Sequence, residues 1–149
     1  MRHRLLLAVP FIFACAKGET PPADSAAMAA APAALTEADV SGTWSGTLMP
    51  EGSDSVLGNW TVNIGGGTFR LTTKENPADT VTGTYVLDAD SSRYSAGPHA
   101  DKSMGGAIVT DAGTTRFSGN QIMGTGAVRL AAKPDSVLLR YHFTGTKTP

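Results

Sequence analysis

The sequence predicts an all-β fold, an antiparallel up-and-down β-barrel of about eight strands, from three observations. Past Val40, apolar and polar residues alternate with period two in short runs, Gly, Pro, Asp and Asn separate those runs, and helical periodicity is nearly absent. Short meander-like connections favour sequential antiparallel pairing, and closing the sheet removes the edges that an open one would expose. A two-sheet β-sandwich is the alternative, since alternation alone does not distinguish the two.

The first 35 residues obey other rules. Arg2 and Arg4 precede the apolar run of residues 5–13, and the small Ala14 follows, which is the layout of an export signal peptide over residues 1–14. A bilayer span takes roughly 20 apolar residues, so this run, interrupted by Pro10, is too short to be one. The sequence Ile12-Phe13-Ala14-Cys15 resembles the lipobox of bacterial lipoproteins, with Phe13 standing where a small residue is usual. The resemblance implies cleavage before Cys15, lipidation of its sulfur and new amine, and a membrane anchor in the cell envelope. Ala16 at the next position implies the outer membrane, facing the periplasm. Three acyl chains hold firmly, because each buried methylene contributes about 0.8 kcal/mol. The alternative is an ordinary export signal with an incidental cysteine. Cys15 is the only cysteine, so the chain has no internal disulfide and no cysteine metal cluster. Residues 15–35, the anchor cysteine followed by Ala, Pro and small polar residues, cannot bury enough surface to offset the entropy of ordering and read as a disordered linker.

Residues 36–149 are one domain's worth of chain. "VSGTWSGTL" places Trp44 and Leu48 on one face and Thr43, Ser45 and Thr47 on the other; "VLGNWTVNI" does the same with Val56, Trp60, Val62 and Ile64. "TFRLTTK" alternates Phe69 and Leu71 with Arg70, and "TVTGTYVLD" alternates Val81, Tyr85 and Leu87 with threonines. A shorter strand is expected at residues 92–96, then a loop "GPHADKSMGG", then two strands around a turn at residues 111–113 in "AIVTDAGTTRFSG". "TGAVRLA" and "VLLRYHFTGT" complete the set, the last with Leu139, Tyr141 and Phe143 on one face and Arg140 and His142 on the other.

Gly42-Thr43-Trp44 on the first strand, with Arg140 on the last, resembles the lipocalin-like (calycin) superfamily, whose Gly-x-Trp motif is covered by a basic residue. The resemblance implies a barrel closed at one end by an Arg140–Trp44 contact. A further similarity, to avidin-like barrels, rests on "GTW" and on "TGTY" ending at Tyr85. That family surrounds biotin with several tryptophans, whereas this chain has two, and biotin is not expected.

Signs of catalysis are missing from the sequence, and no enzyme is expected. No Gly-x-Ser-x-Gly elbow, His-Glu-x-x-His pair or P-loop occurs. His99 reads as a loop residue and His142 as an outward one, so no metal site and no cofactor are expected. The "DADSSR" segment lacks the glycine and glutamate of an EF-hand and reads as a turn. The carboxylates, Asp111 among them, fall in expected turns rather than on the inward face. Losing Arg2 and Arg4 with the signal takes the formal charge from −1 to −3, and without a basic stripe nucleic-acid binding is not expected.

The inward face mixes aromatic residues with glycines. Either the glycines let a small barrel coil around large side chains, or they leave an apolar cavity for a small molecule. The expected function is therefore a lipid-anchored envelope protein whose barrel binds a small apolar or amphipathic ligand through Trp44, Trp60, Phe69, Tyr85, Tyr141 and Phe143. The alternative is a filled barrel that serves as an interaction or structural module.

Overall fold

A computed structural model describes residues 34–149. In them the alternating runs form eight strands: β1 (Gly42–Pro50), β2 (Gly58–Gly65), β3 (Thr68–Thr73), β4 (Thr80–Leu87), β5 (Ser91–Asp101), β6 (Ala107–Ser118), β7 (Gln121–Leu130) and β8 (Lys133–Lys147). Each pairs antiparallel with the next, and β8 returns to β1, giving a closed up-and-down barrel. The sandwich alternative is excluded by that last ladder, which runs from Trp44 opposite Lys147 to Pro50 opposite Tyr141. The export signal, Cys15 and the linker as far as residue 33 lie outside the described residues.

Period-two alternation does here what it predicts. On the inner side Trp44 lies opposite Val62 and Gly46 opposite Trp60, whereas the outward Thr43 lies opposite Asn63, with Thr43 Oγ1 donating to Asn63 Oδ1 at 2.7 Å. The inward glycines have a common purpose, because aromatic rings press against them. A Cβ on Gly46 or Gly145 would meet the Trp60 ring at 2.7 or 2.6 Å, one on Gly83 would meet Phe69 at 2.4 Å, and one on Gly124 would meet Phe143 at 2.4 Å. Each large ring thus takes the space that a side chain would fill on the next strand, the arrangement that lets glycine-rich strands curve without losing packing.

Three local expectations are corrected. Val56 is not inward but exposed in the β1–β2 loop. The strand begun at Ser91 continues to Asp101, with a bulge between Ala96 and His99 that absorbs Gly97 and Pro98, since proline cannot donate to a regular ladder. Residues 111–113 do not turn: β6 is one continuous strand, with Asp111 opposite Val128 and Gly113 opposite Gly126. Asp and Gly mimic a turn in sequence, but the glycine is needed for close approach, as a Cβ there would lie 2.1 Å from the Thr125 carbonyl oxygen and 2.6 Å from the Tyr94 hydroxyl.

One end of the barrel is plugged by a single helical turn, α1 (Glu37–Val40). Asp39 Oδ2 accepts from the Thr36 backbone N–H at 2.8 Å and from the Thr36 hydroxyl at 2.6 Å, which fixes the start of the turn. Val40, its last residue, and Trp44 are fully buried, with Trp44 Nε1 donating to the Val40 carbonyl at 2.8 Å. Glu37 Oε1 pins the plug to the wall, accepting from the Tyr85 hydroxyl at 2.6 Å, the Gly66 N–H at 2.7 Å and the Ser41 hydroxyl at 3.0 Å. These bonds, that from Tyr85 first, hold the Glu37 carboxyl below its ordinary pKa. The chain reaches the barrel at this end, where Leu35 N–H donates to the Ala89 carbonyl at 2.9 Å.

Candidate functional site

The opposite end is open. Behind it lies a cavity of about 550 Å³, within the roughly 300–1,000 Å³ typical of small-molecule sites. Its mouth is framed by the β1–β2 loop, the β3–β4 loop and a 3₁₀ turn at Lys102–Met104. Asp101 shapes that turn, its Oδ1 accepting from the Ser103 hydroxyl at 2.6 Å and the Met104 N–H at 3.2 Å. Lys102 Nζ reaches across to Asp79 Oδ1 at 2.6 Å, tying two loops together over one side of the opening. Leu57, next to the mouth, is half exposed.

Five of the six residues expected to contact a ligand, Trp60, Phe69, Tyr85, Tyr141 and Phe143, line this cavity. Trp60, Phe69, Tyr141 and Phe143 form a near-continuous aromatic wall once Tyr94 of β5 is added. Trp60 meets Phe143 edge-on at 5.8 Å between ring centroids, and Tyr94 meets Phe69 at 6.0 Å and Phe143 at 6.2 Å. Trp44, the sixth, is not in the cavity wall. It lies below the floor, in edge contact with Phe117 at 5.3 Å, and its indole is consumed by the plug.

The expected Arg140–Trp44 contact does not form. Arg140 points outward near the mouth, 4.0 Å from Glu51, because it alternates with the inward Leu139 and Tyr141 and sits at the far end of the β1–β8 ladder from Trp44. The basic group over Trp44 is instead Lys147, directly opposite it in register, with Nζ 5.2 Å from the ring centroid.

Inside the largely apolar lumen, where Ser92 and Thr115 are also buried, is a polar chain of Tyr94, Tyr141 and Asp111 that alternation did not reveal. Tyr141 gives its hydroxyl proton to Asp111, 2.7 Å from both carboxylate oxygens. The 2.7 Å contact between the Tyr94 and Tyr141 hydroxyls must therefore run from Tyr94 to Tyr141, since each phenol has one proton to give. Burial pushes the Asp111 carboxyl above its ordinary pKa, against the opposing pull of the Tyr141 bond and the charges of His99 and Arg129. Burial and the Asp111 charge push both phenols up, so they remain protonated donors. Among the described residues no Lys, Arg or His lies within 4.0 Å of the Asp111 carboxylate. His99, expected in a loop, stands on β5 and lines the cavity. Reading residues 107–118 as one strand would have placed Val109, Asp111, Gly113, Thr115 and Phe117 on a single inward face; the turn-like Asp-Ala-Gly hid that parity.

Two further observations describe the site's chemistry. Trp60 is only 5% exposed and its Nε1–H has no acceptor among the described residues, so a guest or a water in the lumen must take it; left without one, a buried donor costs about 1–3 kcal/mol. Among the described residues, no three His, Cys, Asp or Glu side chains converge to hold a metal ion. No protein-family profile matches the chain, and no curated protein matches it significantly.

Proposed function

We propose that this chain is a non-enzymatic binding protein that takes a small apolar or amphipathic molecule into its barrel, anchored to the bacterial cell envelope through Cys15. The observation that carries the reading is the open lumen of about 550 Å³ walled by aromatic and aliphatic side chains. Protein interiors normally pack without voids much larger than a water molecule, and leaving this one empty forgoes dispersion contacts along its whole lining. A guest restores them. The unmet Trp60 N–H supports the same reading, because a guest or ordered water that accepts from it recovers a desolvation penalty already incurred. That volume weighs against the alternative of a filled barrel acting only as a structural module.

The placement of the plug suits an anchored binder. Leu35 meets the barrel at the plugged end, so the residues that follow the linker enter the domain at the end opposite the mouth.

The test is titration of the full chain, carrying Cys15→Ser so that no acyl chain competes, with the uncharged fluorophore N-phenyl-1-naphthylamine. One saturable site is expected, abolished by Leu71→Trp, which places an indole in the lumen from β3. Absence of saturable binding, or binding indifferent to that substitution, would overturn the reading.

A further inference from the structure

Taking the lumen to be a ligand site, we propose that its ligand is a cationic amphiphile: an apolar body carrying a protonated amine, which seats against the Asp111 carboxylate and the Tyr94 hydroxyl oxygen. The hydrogen-bond inventory of the polar chain leads there. Tyr141 donates to Asp111 and Tyr94 donates to Tyr141, so both phenolic protons are spent within the protein. What the chain still offers the lumen is acceptors only, the lone pairs of the Tyr94 oxygen and of the carboxylate. A ligand carboxylate or phosphate placed there would find no free donor among Asp111, Tyr141 and Tyr94 and a like charge facing it. An alcohol would fill one acceptor and leave the charge as it was. A protonated amine supplies both the donors and the missing positive charge.

The energetics point the same way. A buried charge without a partner is costly, and desolvating it is the larger part of what forming an internal ion pair demands. In Asp111 that cost has already been met on folding, with no protein cation in contact to offset it. An incoming ammonium therefore meets an acceptor that is stripped of water and held in place by Tyr141. The ring faces around it favour a cation as well. Tyr94 and Tyr141 stand beside the acceptors, and Phe143 lies 6.2 and 6.3 Å from their rings, so aromatic quadrupoles line the same pocket.

The approach is biased in the same sense. Four carboxylates line the cavity and its mouth, Glu75, Asp79, Asp101 and Asp111, against the single lysine Lys102, and Lys102 is already paired with Asp79. Low-dielectric walls focus such a potential into the opening, which draws cations in and turns anions away.

The experiment displaces N-phenyl-1-naphthylamine from the full chain carrying Cys15→Ser with three probes that differ only at the head: n-octylamine, n-octanol and n-octanoate. Octylamine is expected to bind at least about tenfold more tightly than either of the others, and Asp111→Asn to erase that margin by bringing octylamine down to the affinity of octanol. The headgroup ranking is read on the unsubstituted lumen, so it stands whether or not the Asp111→Asn chain folds. If octanol or octanoate binds as well as octylamine, or if the amine keeps its margin in a folded Asp111→Asn chain, the inference is overturned while the lumen remains a binding site. If the fluorophore itself finds no saturable site, both readings fall together.

Discussion

The two tryptophans of this barrel stand in opposite circumstances. Trp44, at the plugged end, is fully buried, donates to the Val40 carbonyl, packs edge-on against Phe117 and has Lys147 above its ring. Trp60, in the wall of the lumen, is nearly as buried, yet its N–H bonds to nothing among the described residues and its ring borders empty space. The same contrast separates the two acidic groups that matter. Glu37 accepts three hydrogen bonds and is held in its charged form, whereas Asp111 accepts from a tyrosine but has no cation beside it, and burial drives it toward its neutral form. One end of the barrel satisfies its polar groups internally. The other keeps them in waiting, as a site must if it is to gain free energy from a guest.

The largest expected break in that comparison comes from the tryptophans themselves. Trp44→Ala should cost roughly 3–5 kcal/mol in urea unfolding, and Trp60→Ala roughly half as much, because one side of the Trp60 ring already faces a cavity and its N–H has no bond to lose. Equal losses would mean that the lumen wall is as tightly packed as the plug. Next comes Gly126→Ala. Its Cβ would lie 2.2 Å from the Tyr94 hydroxyl and 2.5 Å from the Tyr141 ring, so the pair must move, at about 1–3 kcal/mol by denaturant titration. The same substitution should weaken octylamine binding by dislodging both hydroxyls, and an unchanged affinity would show that the tyrosine pair does not form the site.

Asp111→Asn should change stability in the unusual direction. The folded-state pKa of Asp111 is raised, so its ionised form disfavours folding above that pKa, and the penalty vanishes as the pH falls toward the ordinary aspartate value of 3.8. The Asn chain should therefore melt above the parent at neutral pH, with the advantage shrinking as the solution is acidified. Tyr94, His99, Tyr141 and Arg129 act on the carboxyl from β5, β7 and β8, and they are common to both chains, so the difference in melting temperature isolates Asp111. A lower melting temperature for the Asn chain at neutral pH would mean that the charge is compensated after all. The smallest effect distinguishes the two basic residues on β8: Lys147→Ala should cost about 0.5–1 kcal/mol through the lost cation–π contact. Arg140→Ala, whose partner Glu51 lies 4.0 Å away on the exposed rim, should be near neutral by the same thermal melts.

Much of this was legible because it is local or periodic. The eight alternating runs from Gly42 onward determine an antiparallel sheet of short strands, and their parity places Trp60, Phe69, Tyr85, Tyr141 and Phe143 inside without any knowledge of which strand neighbours which. Parity depends only on the pleat. Register across the closure is a different quantity, set where β8 meets β1. It put Lys147 rather than Arg140 over Trp44 and withdrew Trp44 from the lumen. The Asp111 chain was hidden for a related reason: whether Asp-Ala-Gly turns or runs straight through the barrel is decided by the Tyr94 hydroxyl and the Thr125 carbonyl packed against Gly113, groups that lie distant in sequence. The sequence by itself thus determined most of the strands and which side of those faces inward, since that follows from backbone geometry, but not the run of β6 through Asp111. Only the tertiary structure decided which end is sealed and where an uncompensated charge meets empty space, because both depend on what packs across the barrel.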